Sequence, residues 1–179
     1  MKEQYCIYLK WPRYLAQWYA HEMYRLSRWE DDVLPEYHYN CDVSDVRQLE
    51  PINTRRGSIE RNVLEMCLTK QPVDYVERID RESTICIVLP NFIQKPPCVY
   101  NHLKPASKSL LEQTVRNHFR MELYKYMMKL RDYSTPLDTL LVSFMENNGI
   151  ENTETNLFAI KQIWNRLRIR ENVKRIRKK

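Results

Sequence analysis

The chain opens on an alternation. Over residues 4–10, Tyr5, Ile7 and Leu9 fall on one side and Cys6, Tyr8 and Lys10 on the other, the two-residue period of a short strand. After Pro12, which suits the first turn of a helix, the period lengthens. Leu15, Trp18, Tyr19, Glu22, Met23 and Leu26 recur at helical spacing and predict an aromatic-rich amphipathic helix to about Ser27. Residues 28–57 hold no sustained period, because Trp29, Tyr37 and Tyr39 stand among Asp, Glu, Pro and Asn. This stretch reads as irregular, with one strand near 46–52. Ser58 is placed to accept from the first free amides of a helix whose Ile59, Val63, Leu64 and Cys67 share a face, with Pro72 stopping it soon after Lys70. Residues 84–89 are β-branched or apolar and closed by Pro90, the pattern of a buried strand, and prolines 90, 96 and 97 mark a connector.

From residue 105 the helical period dominates. Ser109 and Glu112 match a capping box, and Leu111, Val115, Phe119, Leu123, Tyr126, Met127 and Leu130 carry an apolar stripe through five turns. Thr135 as N-cap, Pro136 at the first helical position and Asp138 in the first turn then open a helix bearing Leu137, Leu140, Leu141, Phe144 and Met145. Gly149 can supply the left-handed residue that ends it, and another capped helix begins near Asn152 or Thr153. The strands lie before residue 90 and the long helices after 105. We therefore expect an α+β protein: a small α/β-containing portion over 1–104, packed on or followed by a helical portion over 105–179 that ends in a basic helix.

The last two helices and the short turn over 147–152 form a hairpin with the general layout of a helix-turn-helix unit. Leu157, Ile160, Ile163, Trp164 and Leu167 make the apolar face of the second helix. Projected at 100° per residue, Lys161, Asn165, Arg168, Asn172 and Arg175 fall within about 40° of one line, roughly 100° from the centre of that face. Arg and Lys contact phosphates or guanine edges and Asn pairs with adenine, so this stripe is the candidate nucleic-acid-binding surface. Beyond Leu167 a second apolar set, Ile169, Val173 and Ile176, lies on the opposite side. One straight helix cannot bury both sets in one body. It must break near Arg168 or continue outward and offer the second set to a partner, a second copy in the simplest case, since a two-fold dimer would match paired DNA half-sites. A frayed end with three scattered apolar residues is the alternative.

Charge sharpens this picture. The net charge is +6, yet residues 161–179 hold nine Lys or Arg and one Glu, leaving 20 basic and 22 acidic side chains in the first 160. A near-neutral body with a strongly basic segment points to a polyanion, because cations that neutralise phosphates release condensed counterions. Nucleic acid leads, an anionic membrane surface or an acidic protein follows, and a solvated, frayed tail is the alternative. With 43% apolar and 29% charged residues the composition is that of a globular protein. Two glycines, Gly57 and Gly149, leave no room for a glycine-rich phosphate loop, so P-loop and dinucleotide-binding chemistry are excluded. The apolar stretch before Lys10 is too short for a leader and no run reaches a membrane span, which predicts a cytosolic protein without membrane contact.

The catalytic inventory is thin. None of His21, His38, His102 and His118 belongs to a nucleophile or zinc-hydrolase motif, and His21 and His118, beside helical core stripes, read as structural. The nearest metal pattern joins His38 and Cys41 to Cys98 and His102. It contains no C-x-x-C knuckle, so these read as unliganded side chains and no metal or cofactor is expected. The five cysteines read as reduced thiols. Glu30, Asp31 and Asp32 read as a solvated loop rather than a nuclease centre.

The ordered segments YCIYLKWPRYLAQWYAHEMYRL, RRGSIERNVLEMCLTKQP, ICIVLPNF, YNHLKPASKSLLEQTVRNHFRMELYKYM and LLVSFMENNGIENTETNLFAIKQIWNR, spanning most of 5–168, resemble small phage or mobile-element proteins of Bacteroides-type bacteria. The resemblance implies a DNA-related role by association and carries over no catalytic residues. The stretch over 29–50 departs from it. Together these observations predict a non-enzymatic DNA-binding accessory or regulatory protein. The alternative is a structural or protein-interaction module with a solvated basic tail.

Overall fold

The computed structural model describes residues 5–27, 49, 51–73, 83–130 and 135–176, with side chains given for all but 25–27 and 170–176. The elements run β1 (Cys6–Leu9), α1 (Arg13–Ser27), β2 (Pro51–Asn53), α2 (Ile59–Cys67), β3 (Ile85–Val88), α3 (Pro105–Lys129), α4 (Leu137–Asn147) and α5 (Glu154–Ile176). Five helices and a small mixed sheet place the described residues in the α+β class.

β3 is the central strand. β1 pairs with it antiparallel, Ile7 opposite Ile87 and Leu9 opposite Ile85; β2 pairs parallel, Ile52 opposite Ile87. α2 lies on the connection between the parallel strands, which need a long crossover. All four β3 residues are buried, so the strand reads as a continuous apolar run, whereas β1 alternates as its sequence does. The predicted strand over 46–52 is shorter, since it begins at Pro51; Leu49 is not in a strand, and 46–48 and Glu50 lie outside the described residues.

Three helix boundaries differ from expectation. α2 ends at Cys67 rather than near Lys70, because Leu68 turns extended and Thr69 exchanges backbone hydrogen bonds with His102. The Lys95 ammonium then donates to the carbonyls of Glu65, Met66 and Leu68, which the helix itself leaves unbonded or at its end. α3 starts at Pro105, a residue suited to the first helical position, with Lys104 as N-cap. Ser109 therefore lies one turn inside the helix and caps nothing, and Glu112 pairs with Arg116 instead. α4 starts one residue late, with extended Pro136 in the N-cap place expected of Thr135 and no side-chain cap. The N-cap of α2 is as expected: Ser58 Oγ accepts from the Arg61 amide at 3.1 Å.

One core runs across residue 104. Leu111, Val115, Phe119, Leu123 and Met127, each four residues from the last, are buried along α3. Phe119 is the hub. Its ring lies 5.3 Å from Tyr14 and Trp18 of α1 and 5.8 Å from Phe144 of α4, with tilted or edge-on geometry. Such a ring bridges three helices in one contact set.

Candidate nucleic-acid interface

The hairpin of α4 and α5 is built at its turn. Gly149 has φ +65°, and a Cβ there would meet the His21 side chain at 2.8 Å, so backbone conformation and close approach both require glycine. The Ile150 amide donates back to Met145 O at 2.9 Å, and Ile150 itself is buried. Thr153 Oγ1 accepts from the Asn156 amide and so begins α5. The turn is also tied to α1, which its sequence does not reveal. Gln17 accepts from Glu151 N at 3.2 Å and from Asn156 Nδ2 at 3.3 Å, while Arg13 pairs with Glu151 at 2.8 Å. Asn156 is 3% exposed. One side of the N-terminal turn of α5, that of Asn156, thus faces the body of the protein, while Glu154, Thr155 and Phe158 are exposed.

Further along α5, Ile160 and Trp164 are buried, and Leu157, Ile163 and Leu167 pack against the core as expected. The face meets two helices rather than one: besides α4 it touches α3, where Trp164 lies 6.4 Å from Tyr124. Lys161 pairs with Asp138 at 2.6 Å across the hairpin, so its charge is matched within the molecule. Asn165 is half-buried and Arg168 exposed. Asn172 and Arg175 lie on the helical backbone of α5, as do Val173 and Ile176, but their side chains are outside the described set. Ile169 is 60% exposed.

The α5 helix does not break at Arg168; of the two outcomes anticipated, it continues. Tyr126 meets Ser143 of α4, Lys161 meets Asp138 of α4, and Trp164 meets Tyr124 of α3. Beyond the exposed Ile169, residues 170–176 add about 10 Å of helix, at ~1.5 Å per residue.

Elsewhere, one pair carries acid–base chemistry. His118 Nδ1 lies 3.0 Å from Glu60 Oε1, joining α3 to α2, and the imidazole stands edge-on to Trp18 at 5.2 Å. Burial alone would push the Glu60 carboxyl up. The His118 hydrogen bond, together with its own backbone amide and Ser58, outweighs that and holds it below the usual carboxylate value. The same hydrogen bond, against desolvation and helped by Glu60, Glu122 and Glu22, raises His118. Burial, with the Glu60 charge nearby, also pushes the Tyr19 hydroxyl up. The pair is an internal clasp, its carboxylate 4% exposed, which accords with reading His118 as structural.

Of the four residues in the metal pattern, His38 and Cys41 lie outside the described residues; Cys98 is exposed and His102 bridges to Thr69. Glu30, Asp31 and Asp32 are also outside. Among the described residues no group of three or more His, Cys, Asp or Glu is placed to hold a metal ion, and no helix is long and apolar enough to cross a membrane. Compared with protein-family models, with curated proteins and with solved structures, the chain matches none.

Proposed function

We propose that this chain is a non-enzymatic DNA-binding accessory or regulatory protein that grips the phosphate backbone with the C-terminal half of α5. One observation carries the reading: α5 continues as helix past the exposed Arg168 and Ile169, within the stretch 161–179 that holds the basic excess the remainder of the chain lacks. A cationic helix with exposed residues along it can lie along a polyanion without unfolding anything.

The mode of contact differs from that of a recognition helix. In a helix-turn-helix protein the N-terminal residues of the second helix reach base edges. Here Asn156 of the N-terminal turn of α5 is held by Gln17 of α1 and Lys161 is matched by Asp138, while the exposed residues of the turn, Glu154, Thr155 and Phe158, are acidic or uncharged. Arg168, Asn172 and Arg175 are the stripe members left for DNA, favouring backbone contact over base readout. A mobile-element setting, proposed on the sequence resemblance, suits such an accessory role. Ile169, 60% exposed on the continuing helix, supports the further reading that two copies pair through Ile169, Val173 and Ile176.

The test is Arg168→Ala combined with Arg175→Ala, measured by DNA-binding anisotropy across a salt series. Each lost phosphate contact should lower the log–log salt slope by about 1, with circular dichroism unchanged. Equal affinity and slope in wild type and variant would remove this stripe from the function. For the dimer, solution mass with and without residues 169–179 decides; a monomer in both cases rejects it.

A further inference from the structure

The antiparallel ladder between β1 and β3 brings two cysteines together on the sheet face turned away from the main core. The Leu89 amide donates to Tyr5 O at 2.8 Å, which makes 5 and 89 a hydrogen-bonded pair. The next pair, Cys6 with Val88, and the alternate one, Tyr8 with Cys86, are then non-hydrogen-bonded pairs, whose side chains stand closest. Cys6 and Cys86 are diagonal neighbours on that shared face, near enough for the thiols to influence each other. Ile7, Leu9, Ile85 and Ile87 occupy the other face and belong to the core cluster; Cys6, Cys86 and Val88 do not.

The two thiols differ in access. Cys6 is partly exposed, whereas Cys86 is 0% exposed. An oxidant from solvent therefore meets Cys6 first, with Cys86 diagonally behind it on the neighbouring strand. This is the arrangement of an attacking and a resolving thiol. The Cys86 hydrogen bond, outweighing burial, also draws the Cys6 thiol below its ordinary range, which favours the reactive thiolate.

We propose that Cys6 and Cys86 form a peroxide-responsive, reversible dithiol–disulfide site that locks β1 to β3. The Cys6 thiolate attacks one oxygen of a hydroperoxide; the S–O bond forms, the O–O bond breaks, and the departing oxygen leaves as water or alcohol after taking a proton. The Cys86 sulfur then attacks the Cys6 sulfur, the S–S bond forms, and the sulfenic oxygen leaves with the Cys86 proton as water. Two thiols lose two electrons and two protons, and one peroxide is reduced. Diagonal strand neighbours have Cα atoms roughly 7–8 Å apart, just outside the usual disulfide span of about 4.4–6.8 Å. Closing the bond must draw the first strand inward, which makes it easily reduced, as regulatory disulfides are.

The experiment uses the full chain with Cys98→Ser, a substitution in an exposed connector that leaves Cys86 the single cysteine between Arg81 and Lys108. After treatment with equimolar hydrogen peroxide, free thiols are alkylated and tryptic peptides mapped. The proposal predicts a linked peptide pair joining Cys6 to Cys86, with the loss of two hydrogens, that dithiothreitol separates. In a Cys86→Ala version Cys6 should stop at the sulfenic acid and be captured by dimedone. Cys6 left as thiol, carried to sulfinic acid without a cross-link, or joined to Cys41, Cys67 or a second chain would overturn it.

Discussion

Two long helices of nearly equal length, α3 with 25 residues and α5 with 23, are put to opposite uses. Every fourth residue of α3 from Leu111 to Met127 is buried, so the helix is held by one stripe from its second turn to its end. On α5 the corresponding stripe stops at Leu167, and the next apolar residue, Ile169, is exposed. A helix whose apolar face is continuous belongs to the core; one whose packed face ends part-way is held by that face only so far. In α5 the portion beyond is also where the positive charge accumulates. The difference separates residues that stabilise the fold from exposed ones such as Arg168 and Ile169.

The sharpest way to break this comparison is to substitute one residue from each helix. Phe119→Ala removes the ring shared by α1, α3 and α4 and should cost about 3–5 kcal/mol in urea denaturation. Arg168→Ala should stay within about 0.5 kcal/mol. Similar losses in both would mean that α5 is as deeply integrated as α3.

Gly149→Ala comes next, because it tests whether α5 is aimed by its turn. A positive φ and a 2.8 Å approach to His21 together should cost about 1–3 kcal/mol in thermal or denaturant unfolding. Gly57 has φ +75° with nothing within 4 Å of an added Cβ, so Gly57→Ala isolates the backbone share, about 1 kcal/mol. Equal costs at the two glycines would show that the His21 contact yields easily.

Glu60→Gln probes the clasp that fixes α2 to α3, and its effect is smaller and pH-dependent. The folded Glu60 carboxyl sits below its ordinary 4.5, so its contribution exists above that pH and is lost as pH falls through the folded value. The folded His118 sits above its ordinary 6.5, so its contribution is full below 6.5 and is lost as pH rises through the folded value. The variant should therefore lag wild type most between pH 4.5 and 6.5, by about 1–3 kcal/mol, and by less on either side. A difference that does not change with pH would show that the pair is not ionised in the folded protein.

Much of this architecture was legible in the residue pattern, and the reasons are local. Period-two alternation in β1, the continuous apolar run of β3, the Ser58 cap and the positive-φ Gly149 each depend on near neighbours, and each stands where the pattern places it. The capping box at Ser109 failed because Pro105 supplies an earlier start, so a plausible cap ended up inside a helix. Pairing across distance was invisible. Nothing around Asp138 announces Lys161, nothing around Gln17 announces the turn at Glu151, and Glu60 gives no sign of His118. These long-range contacts decide which candidate site residues remain available. They turn Asn156 inward and match Lys161, whereas Arg168 is exposed.

The most direct test of the central claim is fluorescence-anisotropy binding of mixed-sequence duplex DNA at 50 and 200 mM salt, comparing the full chain with one ending at Leu167. If the continuing helix is the DNA contact, the full chain should bind with a log–log salt slope steeper than about −4, and the shortened chain should lose both the binding and the slope. Equal binding by the two chains, or no binding by the full chain at the lower salt, would contradict the account.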